Sequence, residues 1–436
     1  MEKLLRFTKQ FIPRKLYSWG QPVYHYSLSL LSALIYRFPS KKIKVIGVTG
    51  TKGKSSTTEI INAILEEAGY KTAISNTIRS KIGDDSTDNM HKMSMPGRFF
   101  IQHFLRTAVN KKCEYVIIEM TSQGSLQYRH KFIQLDAFVF TNLSPEHIES
   151  HGSYENYIQA KVNIACEMIS SKKQNRAIIV NNDDKESTKF LSCSADKKIT
   201  YSIKDAEPYE ILSEGINFTF QGNKSIHSSL SGLFNLYNLL AGISCARNFG
   251  ISDDIIIRAV EKFRGIRGRV EKIEVSPSFK QNSEQNAVQD FTVIVDYAHT
   301  SDSLEKLYQV FEKSRNICVL GGTGGGRDTW KRKEMGRIAD TYCDEIILTD
   351  EDPYDENPDK IIDNVVEGIK NQSPTIIMDR RLAIRTAINR AQTGDTVIIT
   401  GKGTDPYIMG PNGTKTPWSD ANIAREELEK KLKKLN

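Results

Sequence analysis

The sequence predicts an α/β fold with two mostly parallel sheets covered by helices, on three observations. Short apolar, β-branched runs alternate with stretches of helical spacing; the runs fall into two separate series; and a glycine-rich turn joins the first run to a helix. The chain has 436 residues, which suits two or three domains of roughly 100–200 residues with ordinary hydrophobic cores.

Residues 1–42 read as a helical leader. Tyr24 to Phe38 (YHYSLSLLSALIYRF) is apolar, but it carries serines and runs through Pro39 into Lys41-Lys42. It is shorter than the roughly 18 apolar residues of a membrane span. Lys3, Arg6, Lys9, Arg14 and Lys15 precede it, as in a signal peptide, yet no small-residue cleavage site follows and a strand begins at once. The segment is either a helix docked on the body or a basic amphipathic anchor making weak contact with a membrane surface.

Lys44-Val45-Ile46-Gly47-Val48 reads as the first strand. Beyond the glycine turn, Ser55 to Ala68 shows helical spacing through Ile60, Ile61, Ile64 and Leu65. Further strands are expected at Tyr115–Ile118, Ala137–Phe140 and Ala177–Val180, and a second series at Thr292–Val295, Ile317–Leu320, Glu345–Leu348, Thr375–Met378 and Thr396–Thr400. Glycines interrupt the helical Asp253–Phe263 segment at Gly265-Ile266-Arg267-Gly268-Arg269, which places the boundaries at 43–267 and 268–436. Residues 277–289 (PSFKQNSEQNAVQ) are polar and aperiodic, as in an exposed loop or hairpin tip. Ala421 to Leu435 reads as a charged helix covering a domain edge.

Composition narrows the function. Lys and Arg number 60 against 53 Asp and Glu, a formal charge of +7, and they read as spread through the chain with carboxylates between them. No nucleic-acid module is visible, and no such partner is expected. Cys113, Cys166, Cys193, Cys245, Cys318 and Cys343 are scattered singly without a Cys-x-x-Cys pair, which argues against zinc and redox motifs and fits unpaired core thiols in a cytoplasmic protein.

The strongest local signal is Gly47-Val-Thr-Gly50-Thr51-Lys52-Gly53-Lys54-Ser55-Ser56, between strand and helix. Glycines let backbone N–H groups converge on a phosphate, the helix N-terminus adds positive potential, Lys54 neutralises charge and Ser55 can ligate Mg²⁺. Val48 stands at the first glycine of the strict phosphate-loop pattern, so an ordinary strand-to-helix turn is the competing reading. Glu119 ends an apolar strand, and Thr141-Asn-Leu-Ser-Pro-Glu-His147-Ile-Glu-Ser-His151-Gly152 follows another. Such strand ends are where open α/β sheets take ligands. Glu119 and His147 could share a Mg²⁺ there, or serve as a salt bridge and a polar helix cap. Asn235 and Asn238 read unaided as helix caps, and Lys161 as a surface helix lysine.

Together these segments resemble the ATP-dependent Mur ligases of peptidoglycan synthesis, from about Lys44 to the C-terminus. The glycine loop is similar to that family's Gly-Thr-x-Gly-Lys-Ser/Thr variant. TNLSPEHIESHG and YENYIQAK resemble its strand-end histidine segment and the lysine that becomes carbamylated. Gly232-Leu-Phe-Asn235-Leu-Tyr-Asn238, Gly268-Arg269-Val-Glu271 and Asp296-Tyr297-Ala298-His299-Thr300-Ser301-Asp302-Ser303-Leu304 resemble its adenine-contacting segment, the start of its last domain and its ribose-binding strand end. The last of these departs from the Asp-Gly-Ala-His-Asn pattern of folylpolyglutamate synthetases.

The resemblance implies a central P-loop ATPase-type domain with a mostly parallel sheet and a C-terminal Rossmann-like α/β domain, closing on each other during turnover. It implies an ATP-dependent ligase that adds an amino acid to UDP-N-acetylmuramoyl-L-Ala-D-Glu through an acyl phosphate, or one acting on another acyl substrate such as poly-γ-glutamate or a folate-like chain. ATP would be held by Gly50, Thr51, Lys52, Gly53, Lys54, Ser55, Ser56, Asn235, Asn238, Arg269, Asp296 and His299. Two Mg²⁺ ions would be held by Ser55, Glu119, His147 and Lys161 as a carbamate. Ser94, Thr121, Gln127 and Arg129 would meet the UDP-linked muramoyl dipeptide, and Arg327, Gly401 and Asp405 the amino acid. Two departures qualify this. The family's diaminopimelate-selecting Asp-Asn-Pro-Arg reads Glu351-Asp352-Pro353-Tyr354, which disfavours diaminopimelate, and the short leader stands where the family carries a uridine-binding domain.

Overall fold

The computed structural model describes residues 14–90, 93–146, 148–220, 224–276, 289–326 and 329–434. The polar segment expected at 277–289 therefore lies almost wholly outside the described residues, as do His147, Arg327 and the first part of the leader. The chain folds as two compact units: Met1–Glu207 with Thr219–Lys224 and Tyr237–Lys262, and Pro208–Phe218 with Ser225–Leu236 and Phe263–Asn436.

The first unit is built on an eight-stranded sheet. Its strands are β1 (Lys44–Thr49), β2 (Thr72–Ser75), β3 (Arg79–Ile82), β4 (Asp85–Asp88), β5 (Tyr115–Glu119), β6 (Ala137–Phe140), β7 (Ala177–Asn181) and β8 (Lys197–Tyr201), in the order β4-β3-β2-β5-β1-β6-β7-β8. All neighbours from β2 to β8 are parallel, while β3 and β4 return antiparallel at one edge. Val45, Ile46, Val48, Ile117, Phe138 and Ile179 are fully buried, as expected of strands covered on both faces. The chain moves from β1 to β2 and β5 on one side and then to β6 on the other, so the direction of winding reverses at β1.

The expected leader helix spans Arg14–Ile35 and packs on helix Arg98–Asn110. Polar bonds fasten it: Ser29 Oγ donates to Tyr128 O at 2.8 Å and Arg106 Nε to Tyr36 O at 2.9 Å. No described helix is long and apolar enough to cross a membrane.

The second unit carries the second strand series. Strands β9 (Tyr209–Leu212), β10 (Gly215–Phe220) and β11 (Lys224–Ser228) form a small sheet through which the division of the units runs. Then β12 (Glu271–Lys272), β13 (Thr292–Val295), β14 (Asn316–Leu320), β15 (Glu345–Leu348), β16 (Thr375–Ile376) and β17 (Thr396–Ile399) form a six-stranded sheet in the order β12-β13-β17-β14-β15-β16. It is parallel except for β12. The closing helix Asp420–Lys434 packs on helix Arg380–Arg390. Their seam holds the buried pair Arg380–Asp420 at 2.6 Å.

The cysteine expectation needs correction. Cys113 and Cys245 are buried free thiols, but Cys166 pairs with Cys193 and Cys318 with Cys343. Each pair joins cysteines 27 and 25 residues apart in sequence whose Cα atoms the fold brings to 4.7 and 6.0 Å, a proximity that spacing alone does not reveal.

Candidate active site

In the first unit the loops after β1, β5 and β6 meet at the C-terminal edge of the sheet, around the point where winding reverses. The loop after β1 opens helix Lys54–Glu67. Gly53 caps it in the left-handed conformation (φ 78°), and a Cβ there would lie 2.1 Å from Asn238 Oδ1. The loop is pinned from β6: Thr51 N donates to Asn142 O at 2.8 Å, Lys52 N to Asn142 Oδ1 at 3.0 Å, and Thr141 Oγ1 to Lys52 O at 2.7 Å. Thr51 Oγ1 also meets Tyr157 OH at 3.0 Å. Lys54 Nζ donates to Thr51 O at 2.8 Å, curling over the loop it would neutralise phosphate from.

Strand β5 is paired with both β1 and β2, so its terminal Glu119 faces groups from each. The carboxylate is 1% exposed. It accepts from Ser55 Oγ at 2.8 Å and Thr77 N at 3.0 Å, with Lys54 Nζ at 3.9 Å. Thr77 Oγ1 bridges onward to Ser94 Oγ at 2.6 Å. A hydroxyl and a carboxylate at a helix N-terminus are hard oxygen donors of the kind Mg²⁺ takes, so the residues present fit such an ion. Among the described residues no three His, Cys, Asp or Glu side chains cluster for a metal, and His147, the expected third ligand, lies outside them.

Lys161 is not the surface lysine that helical position alone suggests. Its helix, Tyr154–Cys166, lies across the phosphate loop, and the side chain is 2% exposed. Nζ donates to Gly50 O at 2.6 Å and sits 5.0 Å from the centre of the Tyr157 ring. Burial, and then the Lys54 ammonium, hold its amine far below the ordinary lysine value against the pull of Glu146 and Glu119. Both effects favour the uncharged amine, the form that acts as a nucleophile.

Thr121 caps the short helix Ser122–Leu126 through its hydroxyl. Beside it, Gln127 Oε1 accepts from Arg129 Nη2 at 2.7 Å, and Arg129 Nη1 donates to Met95 O. Arg98, which sequence reasoning missed, donates to Gln127 O at 2.7 Å, while its buried Nε has no hydrogen-bond partner. Burial and the Arg98 charge lower the pKa of Arg129, so two guanidiniums share this corner and favour an anionic ligand. Thr77 was missed as well, because its approach to Glu119 depends on β2 lying beside β5. Asn235 and Asn238 are not caps but lie inside helix Leu233–Asn248. Asn238 reaches the phosphate loop, whereas Asn235 Nδ2 donates back to Ser231 O at 2.8 Å.

The second unit gathers its candidates at the C-terminal edge of its own sheet. Asp296, just past β13, accepts from Ala298 N at 2.6 Å and Val270 N at 2.7 Å, and burial raises its pKa. Arg269 stacks 4.5 Å from the Tyr297 ring centre, and the His299 ring packs against Tyr297 at 4.6 Å. Past β17, Gly401 (φ 105°) leaves no room for a Cβ, which would lie 2.2 Å from Glu351 Oε2. The fully buried Lys402 bonds Asp352 at 2.7 Å and faces Asp405 at 3.5 Å. Glu351 is raised by burial and accepts from Thr323 Oγ1 at 2.9 Å. Tyr354 follows in the same turn, its N–H donating to Met409 O at 3.0 Å.

Known proteins resemble the chain across both units. Residues 48–246 match the Mur ligase middle domain, and residues 282–403 match the family described as Mur ligase, glutamate ligase domain. The UDP-N-acetylmuramoyl-L-alanyl-D-glutamate–2,6-diaminopimelate ligase of Syntrophomonas wolfei is 38% identical over 421 residues, 93% of this chain and 82% of that one. The protein of the same name from Nostoc sp. is 34% identical over 92% of this chain and 80% of its own. A solved structure of a ligase with this name superposes with a TM-score of 0.61 at 26% identity, covering 89% of this chain and 78% of that one. Folylpolyglutamate synthase of Mycobacterium tuberculosis, at 13% identity and TM-score 0.67 over 86% of this chain and 92% of its own, shares the fold.

Proposed function

The chain belongs to the Mur ligase family of ATP-dependent amide-forming ligases, and from that premise we propose that it adds an amino acid to UDP-N-acetylmuramoyl-L-Ala-D-Glu. The observation that carries this reading is the constellation of Lys54, Ser55, Glu119 and buried Lys161 around one phosphate loop. ATP makes cytoplasmic work the natural setting, and a reducing compartment would hold the two cysteine pairs as neighbouring thiols.

In this reading the loop from Gly50 to Ser56 cradles the phosphates with its N–H groups and Lys54 neutralises the γ-phosphoryl charge. Asn235 and Asn238 flank the base. Asp296 has lone pairs beyond those its backbone donors occupy, suited to ribose hydroxyls, and Arg269 and His299 serve the nucleotide from the same strand end. Ser55, Glu119, His147 and Lys161 as its carbamate would hold two Mg²⁺ ions, which would neutralise the charge spreading over the transferred phosphoryl oxygens.

Ser94, Thr121, Gln127 and Arg129 orient the acyl substrate, with Arg98 added on the strength of its guanidinium beside Arg129. The substrate carboxylate oxygen attacks the γ-phosphorus and ADP leaves. The incoming amino acid is placed by Arg327, whose guanidinium suits its carboxylate, together with Gly401 and Asp405; its amine nitrogen then attacks the acyl carbon and releases a proton to water. Phosphate departs with the former carboxylate oxygen.

The relatives' names point to 2,6-diaminopimelate as the amine. Tyr354, where the resemblance expects an arginine for the distal carboxylate, favours instead an amino acid lacking that group. The purified chain, given ATP, Mg²⁺, the UDP-muramoyl dipeptide and a mixture of diaminopimelate, lysine, ornithine and small amino acids, decides both questions by product mass. A nucleotide-linked tripeptide is expected. Its absence with ATP binding intact would move the acyl substrate to another chain, such as poly-γ-glutamate.

A further inference from the structure

We propose that the outward face of helix Arg14–Ile35, with Arg37, Lys41 and Lys42 that follow it, docks the protein on an anionic lipid surface. This is independent of the ligase reading. An ordinary docked helix buries its large apolar side chains and shows polar ones to water. Here the order is reversed. Among its described side chains Ser29, Ser32 and Ala33 are buried, while Val23 (64% exposed), Tyr24 (52%), Tyr26 (45%), Leu31 (48%), Leu34 (54%) and Ile35 (56%) are exposed. Positions 23, 27, 31 and 34 fall on one side of a helix, with 24 and 35 at its margin, so most of the exposed apolar residues form one stripe. The opposite side is already committed: Ser29 Oγ donates to Tyr128 O, and Arg98 Nη2 meets His25 Nδ1 at 2.8 Å.

Charge identifies the occupant. Residues 1–42 contain Lys3, Arg6, Lys9, Arg14, Lys15, Arg37, Lys41 and Lys42 against Glu2 alone, 8 − 1 = +7, which is the formal charge of the entire chain. The other residues therefore carry 52 basic and 52 acidic side chains and sum to zero. Arg37, Lys41 and Lys42, at the end of the stripe, are exposed. A second copy seated on this face would set one such segment against another, whereas anionic headgroups complement it. Pro22 within the helix and the lack of any described helix able to span a bilayer restrict the contact to the interface.

The full-length chain is tested by co-sedimentation with phosphatidylcholine vesicles, with and without phosphatidylglycerol. The expected result is binding that needs the anionic lipid, is weakened by salt, and falls roughly tenfold or more in Leu31→Glu/Leu34→Glu. Those side chains already face solvent, so the variant keeps its circular dichroism. Arg37→Glu/Lys41→Glu/Lys42→Glu should lose the lipid-charge preference by a similar factor. No binding to either vesicle overturns the proposal, as does binding indifferent to the Leu31→Glu/Leu34→Glu change. A dimer in place of vesicle binding, abolished by that change, assigns the face to a second copy.

Discussion

Lys161 is the residue on which position and chemistry diverge most. A lysine on a helix ordinarily extends into water, but this one is buried against Gly50 O, where burial and the Lys54 charge disfavour its protonated form. If it works as a carbamate, Lys161→Ala should lower turnover by roughly 10²-fold or more, with partial rescue by a short carboxylic acid that restores an anionic oxygen; a fully active variant removes the assignment. His130 supplies a pH signature. It is 3% exposed, and burial followed by the Lys131 charge pushes its pKa from 6.5 down to about 3. Between these values the unfolded chain binds a proton that the folded one refuses, so stability is full above pH 6.5 and falls toward pH 3, by up to about 4–5 kcal/mol. Urea titrations across this range should show a shallower fall in His130→Phe, and an unchanged slope would count against a buried neutral imidazole.

At the scale of elements, two junctions bear the consequences. Gly53 begins helix Lys54–Glu67 in a left-handed conformation against Asn238. Gly53→Ala should cost about 1–2 kcal/mol in backbone strain alone, and by displacing Asn238 it should weaken ATP binding in calorimetry. Arg380–Asp420 fastens the closing helix, and Asp420→Ala would leave a guanidinium buried with only carbonyl partners. A loss of about 3–5 kcal/mol is expected in chemical denaturation. The elements also mark what was legible. Strands β1, β5, β6, β13, β14, β15 and β17 announce themselves because strands covered on both faces read as apolar runs. Strands β3 (RSKI) and β4 (DSTD) escape because an exposed antiparallel edge needs no apolar residues. The phosphate loop is legible since all its parts are contiguous. Glu119 against Thr77, Arg98 beside Arg129 and the burial of Lys161 are not, because each depends on which strand or helix becomes a neighbour.

For the whole molecule, the two units each place their candidate residues at the C-terminal edge of a parallel sheet, and the proposed reaction draws on both edges. The nucleotide and acyl candidates belong mostly to the first unit, and the amine candidates to the second. The most direct test is to follow the oxygen. The UDP-muramoyl dipeptide labelled with ¹⁸O in the D-glutamyl γ-carboxylate is incubated with the protein, ATP, Mg²⁺ and the accepted amine, and the released phosphate is weighed by mass spectrometry. The account predicts one labelled oxygen in each phosphate formed with product. Phosphate released without label, or at the same rate with no dipeptide present, would contradict it and leave a nucleotide hydrolase on the ligase fold.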